Sequence, residues 1–220
     1  MKQLTCYFIL VFALPLASSQ VVFAADEISE QLGKRLQPLI DRFEGDVGVA
    51  IKILSGPGEF SYRADQPMAT ASLIKLPLMV AVYQQIDSGK LDPLKMIQLK
   101  KEDQVPGSGI LTEHFSPGLQ MPLVDAIRLM IRYSDNTATN LVADQAGLSA
   151  TADAMEALGL AETKLHSKVY RRDTSIFQDR SKRNGLGSKK AGEMVALLEG
   201  NQRKEIASDE SCNAMIAHLQ

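Results

Sequence analysis

Hydrophobic residues change their spacing along the chain, and these changes predict the order of the structural elements. Apolar side chains recur every three or four positions over residues 28–43, which predicts a helix that Asp26 caps and Gly45 ends. They recur at every second position over residues 47–53, a turn rich in glycine and proline follows at residues 55–58, and a second alternating stretch comes next. This arrangement predicts a β-hairpin after the first helix.

The rest of the chain has mostly helical spacing. Residues 73–83 are apolar nearly all round, which predicts a buried central helix in which Pro77 leaves the carbonyl of Leu73 without its usual donor. Residues 163–187 are polar and irregular and predict a long loop. Three further helices are predicted to begin at Pro122, to run from Ser134-Asp135 to Gly147, and to cover residues 149–159. Two more are predicted, one through residues 194–198 and one that begins near Ser208.

The amino terminus has the pattern of a secretory signal. Lys2 gives a positive start, residues 7–17 are almost all apolar, and small residues precede a cleavage point after Ala24. We therefore predict a signal peptide over residues 1–24, a single domain over residues 25–220, and a secreted or periplasmic protein. An uncleaved membrane anchor is the alternative, although the apolar run is short for a span.

Composition narrows the classes of partner. The net charge of −2 implies no polyanion partner, so no nucleic acid is expected. Cys6 leaves with the signal, and Cys212 stands alone among apolar residues, which predicts a buried, inert thiol and no internal disulfide. The three histidines, at positions 114, 166 and 218, share no metal-ligand spacing, so no metal and no cofactor are predicted.

Ser72 and Lys75 form the first motif that suggests catalytic chemistry. Residues three apart lie on the same face of a helix, so the lysine amine can reach the serine hydroxyl. Serine needs a neighbouring base to become a nucleophile, and a lysine among apolar residues loses some of its hydration, which lowers its pKa toward that task. A surface serine and lysine on an ordinary helix is the alternative. The apolar neighbours favour the catalytic interpretation.

The second motif is Ser134-Asp135-Asn136. In the functional interpretation Ser134 passes a proton to a leaving amine, Asn136 orients the lysine and the substrate, and Asp135 fixes the turn through backbone hydrogen bonds. Serine, aspartate and asparagine are also preferred helix caps, so the tripeptide is equally typical of a helix start. Both interpretations can hold together.

Together, the two motifs and their surroundings resemble the class A β-lactamase-like serine hydrolases, the penicillin-recognising family. The resemblance covers residues 26–220 and is most specific at residues 71–77 and 130–141. It implies an α/β fold of the α+β sandwich type, with a helical subdomain packed on an antiparallel sheet. It further implies a monomeric enzyme that opens β-lactam amides through an acyl-enzyme on Ser72. A β-lactam or a cell-wall peptide is then the small-molecule substrate.

Two departures from the family pattern affect the predicted deacylation step and the predicted extent of the domain. The family has a glutamate that activates the deacylating water, whereas residues 163–192 contain no glutamate, and only Asp173 and Asp179 offer carboxylates there. The family's Lys-Thr-Gly element does not follow Asn136, and in the family it lies on a strand beyond the position of Gln220. The sequence therefore predicts a domain that lacks its carboxyl-terminal strands.

Two other functions stay open at this point. One is a peptidoglycan-directed amidase or transpeptidase that β-lactams only acylate, and the other is an inert remnant or binding module that keeps the fold without turnover. Residues 163–192 carry nine lysines and arginines against two aspartates. This excess is typical of a solvated loop, or of a rim that attracts an anionic substrate or cell-wall polymer.

Overall fold

The computed structural model describes the backbone of residues 17–220 and the side chains of residues 26–220. The helices are α1 (Ala17–Arg42), α2 (Lys75–Asp87), α3 (Leu111–His114), α4 (Leu123–Arg132), α5 (Asn136–Ala146), α6 (Leu148–Ala157), α7 (Gln178–Asn184), α8 (Ala191–Gln202) and α9 (Asp209–Leu219). The strands are β1 (Val49–Lys52), β2 (Glu59–Tyr62), β3 (Met68–Ala69), β4 (Met96–Gln98), β5 (Gln120–Pro122), β6 (Lys164–Leu165) and β7 (Gly187–Lys189). Single 3-10 turns lie at Ala71–Ile74, Lys101–Asp103 and Arg172–Thr174.

The predicted signal peptide falls largely outside the described residues, because its positions 1–16 are not among them. Residues 17–24 belong to α1, which runs on through Asp26. Asp26 therefore does not cap the helix, since the preceding run of small and apolar residues extends it toward the amino terminus. Within the described part of the chain, no helix is long and apolar enough to cross a membrane.

One of two compact units comprises the described residues up to Gly45 together with Ile51–Phe60. The predicted hairpin is confirmed, since β1 pairs with β2. Gly58 lies so close to the helix that a Cβ there would fall 2.6 Å from Ile28 Cγ2. The far end of the predicted apolar face is only partly buried, because Ile40 is buried whereas Leu39 is 64% exposed.

The second unit comprises Asp46–Ala50 and Ser61–Gln220, and it contains all the candidate site residues. Its core surrounds α2, which packs against α4, α5, α6 and α9. The buried central helix is thus confirmed, but it begins at Lys75, after the 3-10 turn. Pro77 falls in the first turn of α2, where backbone N–H groups have no helical acceptor, so it costs the helix no hydrogen bond.

Short antiparallel strands lie beside this helical core. In the three-stranded sheet, β7 lies between β3 and β6, with Ala69 opposite Ser188 and Leu165 opposite Gly187. The predicted irregular loop at 163–187 is partly wrong, because it contains β6, α7 and the start of β7. Helix α7 has no apolar stripe, so hydrophobic spacing could not reveal it. The Ala69 end of this sheet leads directly into the turn that carries Ser72.

Candidate active site

The Ser72 hydroxyl and the Lys75 amine meet as their spacing predicts. Ser72 lies in the 3-10 turn, Lys75 is the first residue of α2, and Lys75 Nζ lies 3.3 Å from Ser72 Oγ. Ala71, immediately before the serine, has a φ of 44°. Left-handed backbone at a residue with a Cβ costs about 1–2 kcal/mol, so the surrounding structure holds this turn in place against strain.

Ser134 reaches both residues of the first motif from the loop between α4 and α5. Its Oγ lies 2.9 Å from Ser72 Oγ and 2.8 Å from Lys75 Nζ. Its backbone carbonyl accepts a further hydrogen bond from Lys75 Nζ at 2.7 Å. Ser134 also has a left-handed φ, 50°, so both hydroxyls are presented by strained backbone.

Lys75 is the centre of this hydrogen-bond network. Its side chain is buried, and Asn136 Oδ1 lies 3.1 Å from Nζ as a fourth acceptor beside the two serine hydroxyls and the Ser134 carbonyl. A lysine ammonium has three protons, so it cannot satisfy all four acceptors at once. Burial lowers the pKa of Lys75 to about 8, against a smaller opposing effect of the Asp135 charge.

Asp135 fastens a neighbouring loop to the start of α5. Its Oδ1 accepts the Ala138 N–H at 2.8 Å as the helix cap, and its Oδ2 accepts the N–H groups of Ile110 and Leu111 at 2.6 and 2.9 Å. Gly109 has a φ of 121°, and a Cβ there would lie closer than 3.0 Å to the Asp135 carboxylate. The aspartate therefore positions the loop that ends at Gly109 without contacting the serine hydroxyls.

Asn136 connects the lysine to the same loop. While Oδ1 accepts from Lys75, Nδ2 donates to the carbonyl of Pro106 at 3.1 Å, and the backbone N–H donates to the carbonyl of Ser108 at 2.9 Å. A Cβ on Gly107 would lie 2.7 Å from Nδ2. The amide is thereby held in one orientation, with its oxygen toward the amine.

Ser72 lies between two cavities of different character. The first, of about 360 Å³, is bounded on one side by the loop of residues 106–109 and on the other by residues 167–172; we call it the polar cleft. Its lining residues are Ala71, Ser72, Ser108, Asn136, Ser167, Lys168, Val169, Tyr170, Arg172 and Leu186. The second, of about 470 Å³, we call the apolar cavity; it is lined by Thr70, Ala71, Ser72, Leu73, Lys75, Leu76, Met130, Ile131, Ser134 and Leu219.

Neither candidate carboxylate lies in these cavities. Asp173 pairs with Arg171, and Asp179 pairs with Lys182 at an exposed position. Among the described residues, no aspartate or glutamate lines the polar cleft or the apolar cavity. The expectation that Asp173 or Asp179 stands in for the missing glutamate is therefore not supported by their positions.

The lone cysteine and two of the histidines lie in the interior of the fold. Cys212 is buried, and burial raises the pKa of its thiol. His166 Nε2 lies 3.1 Å from Ser188 Oγ, and His218 Nε2 lies 2.7 Å from the Tyr83 hydroxyl. Across the described residues, no group of three histidine, cysteine or acidic side chains is arranged to hold a metal ion.

Sequence reasoning did not single out the residues that form the wall of the polar cleft. Tyr170 and Arg172 lie in the basic segment for which the sequence left open a solvated loop or a rim that attracts an anionic substrate, and Ser108 lies in a glycine-rich stretch with no recognised pattern. The available signal was the pair Gly107 and Gly109, which have φ angles of 92° and 121° and lie against Asn136 and Asp135. Two glycines flanking a serine indicate that the backbone packs closely against another part of the chain, but they do not show which part.

An exposed serine, a buried lysine of lowered pKa and a second serine joined to both form an arrangement typical of serine hydrolases that use a lysine as base. The comparisons agree with this class. The Beta-lactamase enzyme family matches residues 31–220, and the chain belongs to that family. The helical core with antiparallel strands is the fold that the resemblance implied, and its relatives are class A β-lactamases.

Two relatives show how similar the chain is to known β-lactamases. The chain is 29% identical to β-lactamase OXY-1 of Klebsiella oxytoca over 203 residues, covering 84% of this chain and 68% of that protein. A crystal structure of a β-lactamase from Sphaerobacter thermophilus is 32% identical with a TM-score of 0.69, covering 91% of this chain and 68% of that one. The chain thus spans about two thirds of the length of these relatives.

A third comparison concerns the fold alone. A PBP-A mutant, solved as an acyl-enzyme complex with penicillin G, is 22% identical with a TM-score of 0.74. It matches 86% of this chain and 68% of that chain. The shared fold is therefore common to β-lactamases and to a protein described as a PBP.

Proposed function

We propose that this protein is an exported serine hydrolase that opens β-lactam amides through an acyl-enzyme on Ser72. The observation that carries the proposal is the hydrogen-bond network in which Lys75 Nζ contacts both Ser72 Oγ and Ser134 Oγ, at 3.3 and 2.8 Å. A helix-cap role for Ser134 does not require its hydroxyl to meet a second serine, and the cap of α5 is in fact Asp135. Membership of the β-lactamase family supports the same assignment.

Acylation follows from this network. The neutral Lys75 amine takes the Ser72 proton, and Ser72 Oγ attacks the carbonyl carbon of the amide to form a tetrahedral oxyanion. As the C–N bond breaks, Ser134 gives its proton to the leaving nitrogen and recovers one from the Lys75 ammonium. The products are an ester on Ser72 and an amine, which in a β-lactam stays attached to the acyl group through the opened ring, and the lysine is neutral again. Asn136 positions the amine of Lys75 and faces the polar cleft, where it can donate to the substrate.

Deacylation has no comparable support among the described side chains. Hydrolysis of the ester needs a base that activates one water, and no carboxylate of the described residues lines either cavity. The second candidate function is a peptidoglycan-directed amidase or transpeptidase that β-lactams acylate and block. The observation favours the transpeptidase, because an amidase would need the same activated water. A long-lived acyl-enzyme gives an amine time to replace water as the acceptor. The PBP-A acyl-enzyme with penicillin G has the same fold.

Covalent labelling tests the proposal. A fluorescent penicillin should attach to the full chain, and peptide mapping should find the label on Ser72. Lys75→Ala should slow labelling by on the order of 10²–10⁴-fold, since that is the usual contribution of a positioned base. Ser134→Ala should slow departure of the amine with less effect on binding. Label on another serine, or an undiminished signal in Ser72→Ala, rejects the assignment to Ser72. A folded wild-type chain that takes up no label favours an inert binding module.

Export is a separate part of the proposal. We expect cleavage after Ala24, which gives a secreted or periplasmic domain of residues 25–220. Expression in a bacterial host with the native amino terminus, followed by intact-mass measurement, checks it. The mass of residues 25–220 in the periplasmic fraction is the expected result. A full-length chain in the membrane fraction would instead support an uncleaved anchor.

A further inference from the structure

The two cavities beside Ser72 differ in their relation to Ser134. This residue, which protonates the leaving nitrogen in the proposed reaction, lines the apolar cavity and not the polar cleft, whereas Ser72 lines both. In that reaction the amine half of the substrate would lie over the apolar cavity, and the acyl half, whose carbonyl forms the ester with Ser72, would lie in the polar cleft.

The charged side chains that line the polar cleft are all positive. Its lining includes Lys168 and Arg172 and no carboxylate of the described residues. Lys168 is already paired with Asp144 at 2.5 Å, and the neighbouring Arg171 is paired with Asp173. The Arg172 guanidinium has no ion-pair or hydrogen-bond partner among the described residues. It is thus the cation of the cleft wall that is free to bind a ligand.

The segment that carries Arg172 is held firmly. Asn140 joins Val169 through two hydrogen bonds, and Thr174 Oγ1 both accepts the Lys168 N–H at 2.9 Å and donates to the Arg171 carbonyl at 2.6 Å. Tyr170, between these anchors, has a left-handed φ of 58°. Strained backbone at a residue lining a cleft persists only where the surroundings fix it, so the wall is preorganised.

We propose that Arg172 is a specificity residue that binds a carboxylate in the acyl half of the substrate, with Tyr170 covering the adjoining apolar part. This inference rests on the proposed function of the same site. A guanidinium pairs with a carboxylate through two parallel hydrogen bonds, which gives both affinity and orientation. The carboxylate can belong to the side chain of a β-lactam or to a cell-wall peptide.

Two penicillins that differ by one carboxylate provide the first test. Benzylpenicillin and carbenicillin share the ring system, and carbenicillin adds a carboxylate to the acyl side chain. The second-order rate of acylation is followed by intact-mass spectrometry for the wild-type chain and for Arg172→Gln. The variant should lose about tenfold in rate with carbenicillin, the size of one charge-assisted pair, and less than twofold with benzylpenicillin. Arg171→Gln, a charge change one residue away, should leave both rates unchanged.

A peptide pair distinguishes the two sources of the carboxylate. A short peptide ending in D-alanyl-D-alanine is offered in N-acetyl and N-succinyl forms, and released D-alanine is measured. An Arg172-dependent preference in either the penicillin or the peptide pair supports the inference and identifies the source. Equal effects of Arg172→Gln on both members of both pairs, or no effect, overturn it while leaving the acyl-enzyme proposal intact. A folded chain that reacts with neither penicillins nor peptides overturns both.

Discussion

Asn140 and Val169 are joined by a pair of hydrogen bonds that attaches the cleft wall to α5. Asn140 Oδ1 accepts the Val169 N–H at 2.7 Å, and Nδ2 donates to the Val169 carbonyl at 3.0 Å. Both residues are buried, so no water replaces these bonds if the amide is removed. The segment that bears Tyr170 and Arg172 is therefore attached to α5 by this buried amide, beside the partly exposed ion pair of Lys168 with Asp144.

Removal of that amide should loosen the wall. Asn140→Ala leaves two buried backbone groups of Val169 unpaired, so we expect a loss of about 2–3 kcal/mol in the free energy of unfolding. Asp144→Asn, which removes the partly exposed ion pair with Lys168, should cost less than about 1 kcal/mol. Urea denaturation compares the two. Equal losses would show that the hydrogen-bond pair is not the main anchor.

The pKa of Lys75 sets the pH dependence of acylation. The reactive form is the neutral amine, and burial lowers its pKa to about 8. Below that value each pH unit converts about ninety per cent of the remaining amine to ammonium, so the rate should fall about tenfold per unit as the pH decreases. Above it the rate should level off. Stopped-flow acylation between pH 5 and about 10 measures the profile; a rate independent of pH would contradict Lys75 as the base.

Gly109 is required by its contact with Asp135. Gly109→Ala combines a left-handed φ with a Cβ that has no space beside the carboxylate, whereas Gly118→Ala has a φ of 99° and nothing within 4 Å. The second variant measures backbone strain alone, about 1–2 kcal/mol. We expect Gly109→Ala to lower the free energy of unfolding by at least about 2 kcal/mol more than that, since overpacking adds its own cost. Thermal or urea unfolding of both variants tests this difference.

No described carboxylate lines the cavities beside Ser72, which predicts a slow second half-reaction. Acylation by benzylpenicillin should show a burst that approaches one equivalent, followed by a steady state limited by ester hydrolysis. The acyl-enzyme should be visible by intact mass for many minutes. Rapid turnover without a detectable adduct would mean that a base outside the described side chains reaches the water.

Local patterns were enough to predict the parts of the fold that bury an apolar stripe or end at a recognisable cap. The hairpin, α2, and α9 with its Ser208 cap are examples. The same spacing rules brought Ser72 and Lys75 onto one face. The contact of Lys75 with Ser134, by contrast, joins residues 59 positions apart, and only the resemblance to a family suggested it.

The rest of the site could not be predicted because it depends on long-range packing of polar segments. The residues around Tyr170 and Arg172 do not indicate that Asn140 holds their loop against α5. The residues around Asp173 do not indicate that it pairs with Arg171. Polar residues without periodicity leave no signature of the face they take. The start of α1 was misplaced for a different reason: a good cap residue lies inside a sequence that already favours helix.

The position of Ser72 between a polar cleft and an apolar cavity has a consequence for inhibitor design. A covalent inhibitor built on this serine could be extended in two directions with opposite chemical demands: anionic and hydrogen-bonding groups toward Arg172, and compact aliphatic groups toward Met130 and Leu219. Reversing the two extensions should abolish reactivity although the warhead is unchanged. Two compounds with enantiomeric warheads and the same substituents would then be the simplest test of which cavity accepts which substituent.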